Sequence, residues 1–204
     1  MFDIIKQTLR NKCCKRRITK NTHQRENSHR KDGDRMNCES IKKMADKLVK
    51  KAGSRNPFVI ADDNSINIKY ITDFKKLKGM YTVIKRNKFI FINALLPEEL
   101  QKVVCAHEIG HDAMHSFMAE MGAVSDTAMF DTKNSFEFEA NVFAAELLID
   151  DNIALAMAKE GMSLSDIASS LCLDKNIVEI KFLSLSRRGN KINIPFSFKS
   201  SFLA

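Results

Sequence analysis

The chain has 204 residues, 44% of them apolar, enough for one or two small domains with a core. No apolar run approaches the roughly 18 residues of a membrane span, and residues 1–35 lack the apolar stretch and cleavage site of a secretory signal. The net charge of +8 is local, since residues 1–35 hold 11 Lys/Arg against 4 Asp/Glu and the remainder 22 against 21, so direct nucleic-acid binding by the folded body is not expected.

Residues 1–35 read as a disordered basic leader, the one part that could touch RNA, DNA or an acidic surface. The five cysteines, Cys13, Cys14, Cys38, Cys105 and Cys172, are odd in number and irregular in spacing. They read as reduced thiols of a cytoplasmic protein and form no C-x-x-C metal knuckle. From Asn37 to Ala52, Ile41, Met44, Ala45, Leu48 and Val49 recur at helical intervals, with Gly53 as a stop. Phe58-Val59-Ile60-Ala61 reads as a short strand, Asp62 to Ser65 as a turn, and the alternation of Ile66, Ile68 and Tyr70 as a half-buried strand. Met80 to Ile84 and Phe89 to Ile92 flank four polar residues and predict a hairpin. Pro97, Glu98 and Glu99 open the next helix, with acids in its first turn as the helix dipole prefers. Phe136 to Ile149 and Ile153 to Glu160 are predicted helices. Ser163 to Leu173 and Lys175 to Ser184 resemble a helix–turn–helix pair. Its second segment is nearly neutral, which suits packing or docking to a protein better than phosphate contact. A strand and a loose tail are expected over the last fifteen or so residues.

The helix that follows the hairpin carries Cys105-Ala106-His107-Glu108-Ile109-Gly110-His111, an H-E-x-x-H string. Positions four apart share a helix face, so His107 and His111 can offer both imidazoles to one metal ion. Glu108 lies about 100° round the helix, where it can act on a water without being a ligand. The string also arises by chance on surface helices. Apolar Val103, Val104 and Ala106, the small Gly110 and the preceding hairpin favour a real site. His115 is expected outside the ligand set, because eight residues of helix rise about 12 Å from His107. The third ligand is then sought on the Phe136 to Ile149 helix, which offers Glu137, Glu139 and Glu146. Glu139 is favoured for its small neighbours, and Glu137 and Glu146 are expected to be solvated or paired surface acids. Tyr81 is one candidate donor to an oxyanion, and Asn141 a candidate to hold a ligand in place.

Ala106-His107-Glu108-Ile109-Gly110-His111-x-x-x-His115, some 30 residues before Phe138-Glu139-Ala140-Asn141-x-Phe143-Ala144, resembles the ImmA/IrrE family of metallopeptidases over roughly residues 36–186. The resemblance implies an α+β fold: a small zincin-like domain, with a short antiparallel sheet and the H-E-x-x-H helix, followed by a helical part. The expected organisation is the leader over 1–35, the metallopeptidase domain over 36–150, and a helical subdomain and tail over 151–204. The resemblance also implies gluzincin-like ligation of Zn2+ by His107, His111 and Glu139, with Glu108 as general base. It further implies cleavage of a helix-turn-helix repressor and derepression of phage or mobile-element genes. In the layout of small zinc proteases an edge strand holds an extended peptide across the metal. The competing expectation is a non-catalytic regulator that binds a repressor or DNA and keeps a vestigial metal site.

Overall fold

A computed structural model describes residues 37–121, 124–126 and 135–192. The basic leader lies outside these residues, as does nearly all of the expected C-terminal strand and tail. The described residues form an α+β fold with seven helices and one mixed sheet.

Helix α1, Cys38–Ala52, begins where the Asn37 side chain accepts from the Ser40 N–H at 2.8 Å. It ends at Gly53, whose φ of 64° is the left-handed geometry that lacks a steric penalty only in glycine. The expected strand at Phe58 to Ala61 is instead helix α2, Pro57–Asp63. Asn56 caps it and Pro57 occupies the first turn, where the missing N–H costs nothing. Pro57, Ile60 and Ala61 are buried while Val59 is exposed, a helical rather than an alternating pattern.

Strands β1, Ile66–Ile71, β2, Gly79–Ile84, and β3, Asn87–Asn93, follow. The predicted hairpin is β2–β3, and its connection is tighter than the four-residue spacer expected. Ile84 pairs with Asn87, and Lys85 and Arg86 both take positive φ. Two left-handed residues in succession give the turn whose twist matches the strands it joins. β1 joins β3 in parallel, so the sheet is mixed rather than antiparallel throughout.

Helix α3, Glu98–Met121, carries the H-E-x-x-H string and packs on β2 and β3. Its backbone breaks helical geometry at His115, with φ −128° and ψ 25°. A three-residue strand β4, Val124–Asp126, pairs antiparallel with Gly79–Tyr81, so the sheet order is β1-β3-β2-β4. β4 therefore covers Gly79–Tyr81 of β2 on the side away from β3. Helix α4, Ser135–Leu148, packs on α3, and helices α5, Asp151–Lys159, α6, Leu164–Leu171, and α7, Lys175–Arg187, complete the fold. Asp150 caps α5, and Ser163 and Asp166 form a capping box on α6, worth about 1 kcal/mol as such caps go.

One core runs from Ile41 through Ile90, Val104 and Phe143 to Ile177 and Phe182, so residue 150 marks a change of element and no break in the core. α7 buries Ile177, Val178, Ile180, Lys181, Phe182 and Leu185. Lys181 is held by Glu146 and Asp151, each at 2.6 Å, and Arg188 joins both acids. This segment is thus a packing element, and its buried lysine is committed to an internal ion cluster.

Candidate metal centre

His107, Glu108 and His111 have no exposed surface. One turn of α3 separates the two imidazoles, which meet edge to face with centroids 4.7 Å apart. Their Nε2 atoms lie 3.0 Å apart. Glu137 closes the group from α4, with Oε2 3.2 Å from His107 Nε2 and Oε1 3.6 Å from His111 Nε2. Among the described residues, these three form the one cluster of histidine, cysteine and acidic groups able to share an ion. Bonds of about 2.0–2.2 Å in tetrahedral array would place donor atoms about 3.3–3.6 Å apart, close to the 3.0–3.6 Å found here.

The expectation for Glu139 needs correction in this geometry. Its Oε2 lies 2.9 Å from His115 Nε2, and the place expected of it is taken by Glu137. Helical phase supplies the reason. Glu137 is four residues before Asn141, on the same face of α4, and Asn141 touches His107. Glu139 is two residues on from Glu137, about 200° round the helix. Glu137 and Glu146 are not surface acids either. Glu137 is 7% exposed, and Glu146 is fully buried on Lys181 and Arg188. The i,i+4 pairing of Glu137 with Asn141, repeating that of His107 with His111, was the signal in the sequence that could have found it.

Two small residues bring the elements this close. At Gly110 a methyl would sit 3.1 Å from Phe143 Cδ1 and 3.3 Å from Ala140 Cα, so glycine sets the approach of α4 to α3. At Gly79 a methyl would sit 2.4 Å from Val104 Cγ1 and 2.8 Å from Glu108 Oε1. The Glu108 carboxylate therefore lies directly against the first residue of β2. The role of Gly79 was missed from the sequence.

The proton states follow from the neighbours. Asn141 Oδ1 lies 3.0 Å from His107 Nδ1. An amide oxygen only accepts, so Nδ1 carries the hydrogen and Nε2 presents a lone pair to the site. Burial lowers His111 to about 4, against the opposing hydrogen bond of Glu137. Burial pushes Glu137 up, but while the His107 and His111 rings carry protons their hydrogen bonds and charges outweigh it and hold the carboxyl down at about 2. At neutral pH a carboxylate and a neutral imidazole thus converge in a space shielded from water. Such an acceptor-rich cluster suits a cation. Burial, with the Glu108 charge behind it, pushes the Cys105 thiol far up, so it is no nucleophile.

Asp112, next to His111, receives the Tyr81 hydroxyl at 2.5 Å and Lys88 Nζ at 2.8 Å. This ties α3 to the hairpin. Tyr81 is buried in the core, as a tyrosine on an apolar strand usually is, and its hydroxyl donates to Asp112, which gives no support to a role at an oxyanion. His115 is 2% exposed and stands outside the three-residue group, as expected from helix rise.

The peptidase family Peptidase_M78, described as the IrrE N-terminal-like domain, matches residues 64–181. The chain is 32% identical over 144 residues to "Uncharacterized immunity region protein 2" of Bacillus phage phi105, across 71% of this chain and 90% of that protein. It is 26% identical over 155 residues to "Metallopeptidase ImmA" of Bacillus subtilis (strain 168), across 74% of this chain and 89% of that protein.

Proposed function

The chain belongs to the IrrE N-terminal-like peptidase family, and from that premise we propose that it is a zinc-dependent, site-specific endopeptidase. Its substrate in this reading is a helix-turn-helix transcriptional repressor in the cytoplasm, whose cleavage derepresses genes of a phage or other mobile element. The observation that carries the reading is the convergence of His107, His111 and Glu137 on one buried point with Glu108 beside them on α3. The names of the two relatives, one a phage immunity-region protein and one a metallopeptidase, support the substrate class. No described helix is long and apolar enough to cross a membrane.

In this reading His107, His111 and Glu137 are the ligands. Two imidazoles and one carboxylate, with a fourth position left for solvent, are the donor set of catalytic zinc. When bound, the ion would lower the pKa of its water towards 7 and polarise the scissile carbonyl. The Glu108 carboxylate takes the proton of the attacking water and returns it to the departing amine nitrogen. Asn141 keeps the His107 lone pair aimed at the site. An extended peptide adds to the sheet along the outer edge of β4, the strand that pairs with Gly79–Tyr81 of β2. In a non-catalytic regulator Glu108 would have no task.

The test is Glu108→Gln with helix-turn-helix repressors as candidate substrates, any encoded near this gene tried first. The variant should retain about one zinc per chain and lose cleavage, read by mass spectrometry of the repressor. Processing by the variant at the parent rate would remove Glu108 from the mechanism, and a zinc-loaded parent that cleaves no repressor would favour the non-catalytic reading.

A further inference from the structure

Behind His111 the structure holds a second line of buried polar groups that no step of the proposed reaction uses. His111 Nδ1 lies 3.2 Å from His115 Nδ1, and His115 Nε2 lies 2.9 Å from Glu139 Oε2. All three residues are 7% exposed or less. The kink at His115 and the edge of the Phe136 ring, 4.9 Å from the His115 centroid, hold the imidazole there.

We propose that Glu139 and His115 are positioning residues that fix the tautomer of His111, so that it presents a lone pair to a metal ion. The proton bookkeeping runs one way from the carboxylate. Ionised Glu139 only accepts, so His115 carries its hydrogen on Nε2. Neutral His115 then has its lone pair on Nδ1. His111 must supply the hydrogen between the two Nδ1 atoms, which leaves His111 Nε2 bare. That atom is the one facing His107 Nε2 and Glu137. Without Glu139 the bias disappears. His115 is then free to carry its hydrogen on Nδ1 and donate it to His111, which forces a hydrogen onto His111 Nε2, inside the ligand cluster. That hydrogen must be removed before a metal binds. The device parallels Asn141 on His107, and it gives the Glu139 acid a task other than ligation.

The inference rests on the metal-site part of the proposed function and not on its peptidase part, so the test reads metal binding and tautomers instead of cleavage. Co2+ affinity is measured on the full chain by competition with a chelator, and the ligand set is read from the d–d absorption of the saturated protein. Glu139→Met and His115→Phe should each weaken binding by about 10–100-fold with the absorption unchanged. Glu139→Gln, whose amide oxygen can still accept from His115, should lose less than Glu139→Met. Glu137→Ala should lose the tetrahedral absorption altogether. Long-range 1H–15N spectra of the zinc-loaded parent should show His115 protonated on Nε2 and His111 on Nδ1. This last measurement needs no variant to fold. Parent-like affinity in Glu139→Met would overturn the proposal, as would His115 protonated on Nδ1. An altered cobalt spectrum in Glu139→Gln would overturn it too, by making Glu139 a ligand. If no repressor is cleaved by the parent while these results hold, the peptidase reading fails and the positioning role stands.

Discussion

Replacing Gly79 by alanine tests how tightly the sheet is pressed onto the helix that bears Glu108. The new methyl would lie 2.4 Å from Val104 Cγ1 and 2.8 Å from Glu108 Oε1, whereas relaxed carbon contacts fall near about 3.5–4.0 Å. Something must move by about 1 Å to restore that distance. β2 cannot yield alone, since Gly79 is paired to Ile92 on β3 and to Asp126 on β4. Overpacking of this kind should cost about 1–3 kcal/mol. A displacement of that size at Glu108 should slow repressor cleavage by about 100-fold. The two contacts separate in a double variant. Val104→Ala removes the Cγ1 atom, so the methyl at position 79 fills the vacated space and stability should return to that of Val104→Ala alone. The contact with Glu108 persists, so activity should not return. Urea unfolding of the metal-free protein reads the first effect, and cleavage at saturating zinc reads the second. Parent-like stability and rate in Gly79→Ala would refute the close packing. Recovery of activity in the double variant would place the damage at Val104 rather than at the general base.

The ion cluster under α7 makes a larger demand. Lys181→Met would leave the fully buried Glu146 facing only Arg188 at 3.2 Å. Breaking a buried pair costs about 3–5 kcal/mol, a fall in Tm of roughly 6–20 °C for a body of this size, and calorimetry showing a fall under about 2 °C would contradict it. Acid should probe the same cluster through Asp151. Burial raises its carboxyl, but the hydrogen bonds and charges of Arg188 and Lys181 hold it well below the usual carboxylate range. Because the folded-state pKa is the lower one, the unfolded chain takes up the proton first. The stabilisation is whole above about pH 4 and is lost as pH falls through the folded value. Asp151→Asn should therefore flatten the decline of stability between about pH 5 and pH 3, and a slope equal to the parent's would count against the pairing.

Much of this was legible because it depends on local spacing. His107, Glu108 and His111 lie within five residues of one helix, so the 3.6-residue period alone aligns them. Asn37 and Gly53 bracket α1 by capping chemistry that a sequence states directly. Phe58 to Ala61 misled because a short apolar run has no period long enough to separate strand from helix, and Asn56-Pro57 carried the deciding information. The third member of the cluster misled for another reason. Choosing between Glu137 and Glu139 requires the rotation of α4 about its own axis, which is set by Gly110 against Ala140 and Phe143 across a tertiary contact. Likewise, nothing in the composition of α7 announces that Lys181 is buried, because its acidic partners are 30 or more residues away.

The surroundings explain why the cluster can hold its geometry. Two bare imidazole nitrogens and a carboxylate at 3.0–3.6 Å repel one another unless a cation or proton lies between them. An unbraced helix would relax by letting the side chains part. Here α3 is restrained on three sides. Asp112 is tied to the hairpin by Tyr81 and Lys88, Gly110 is seated on α4, and His115 is held at the kink by Glu139 and Phe136. Asn141 restrains His107 from α4 itself. The bracing thus holds the three groups in the arrangement that a cation between them would satisfy. Binding of metal to the native state alone should therefore raise stability, by about 2.7 kcal/mol at one hundred times Kd. The same bracing keeps Glu108 in place beside the ligands, where a displacement of about 1 Å would matter to a proton transfer.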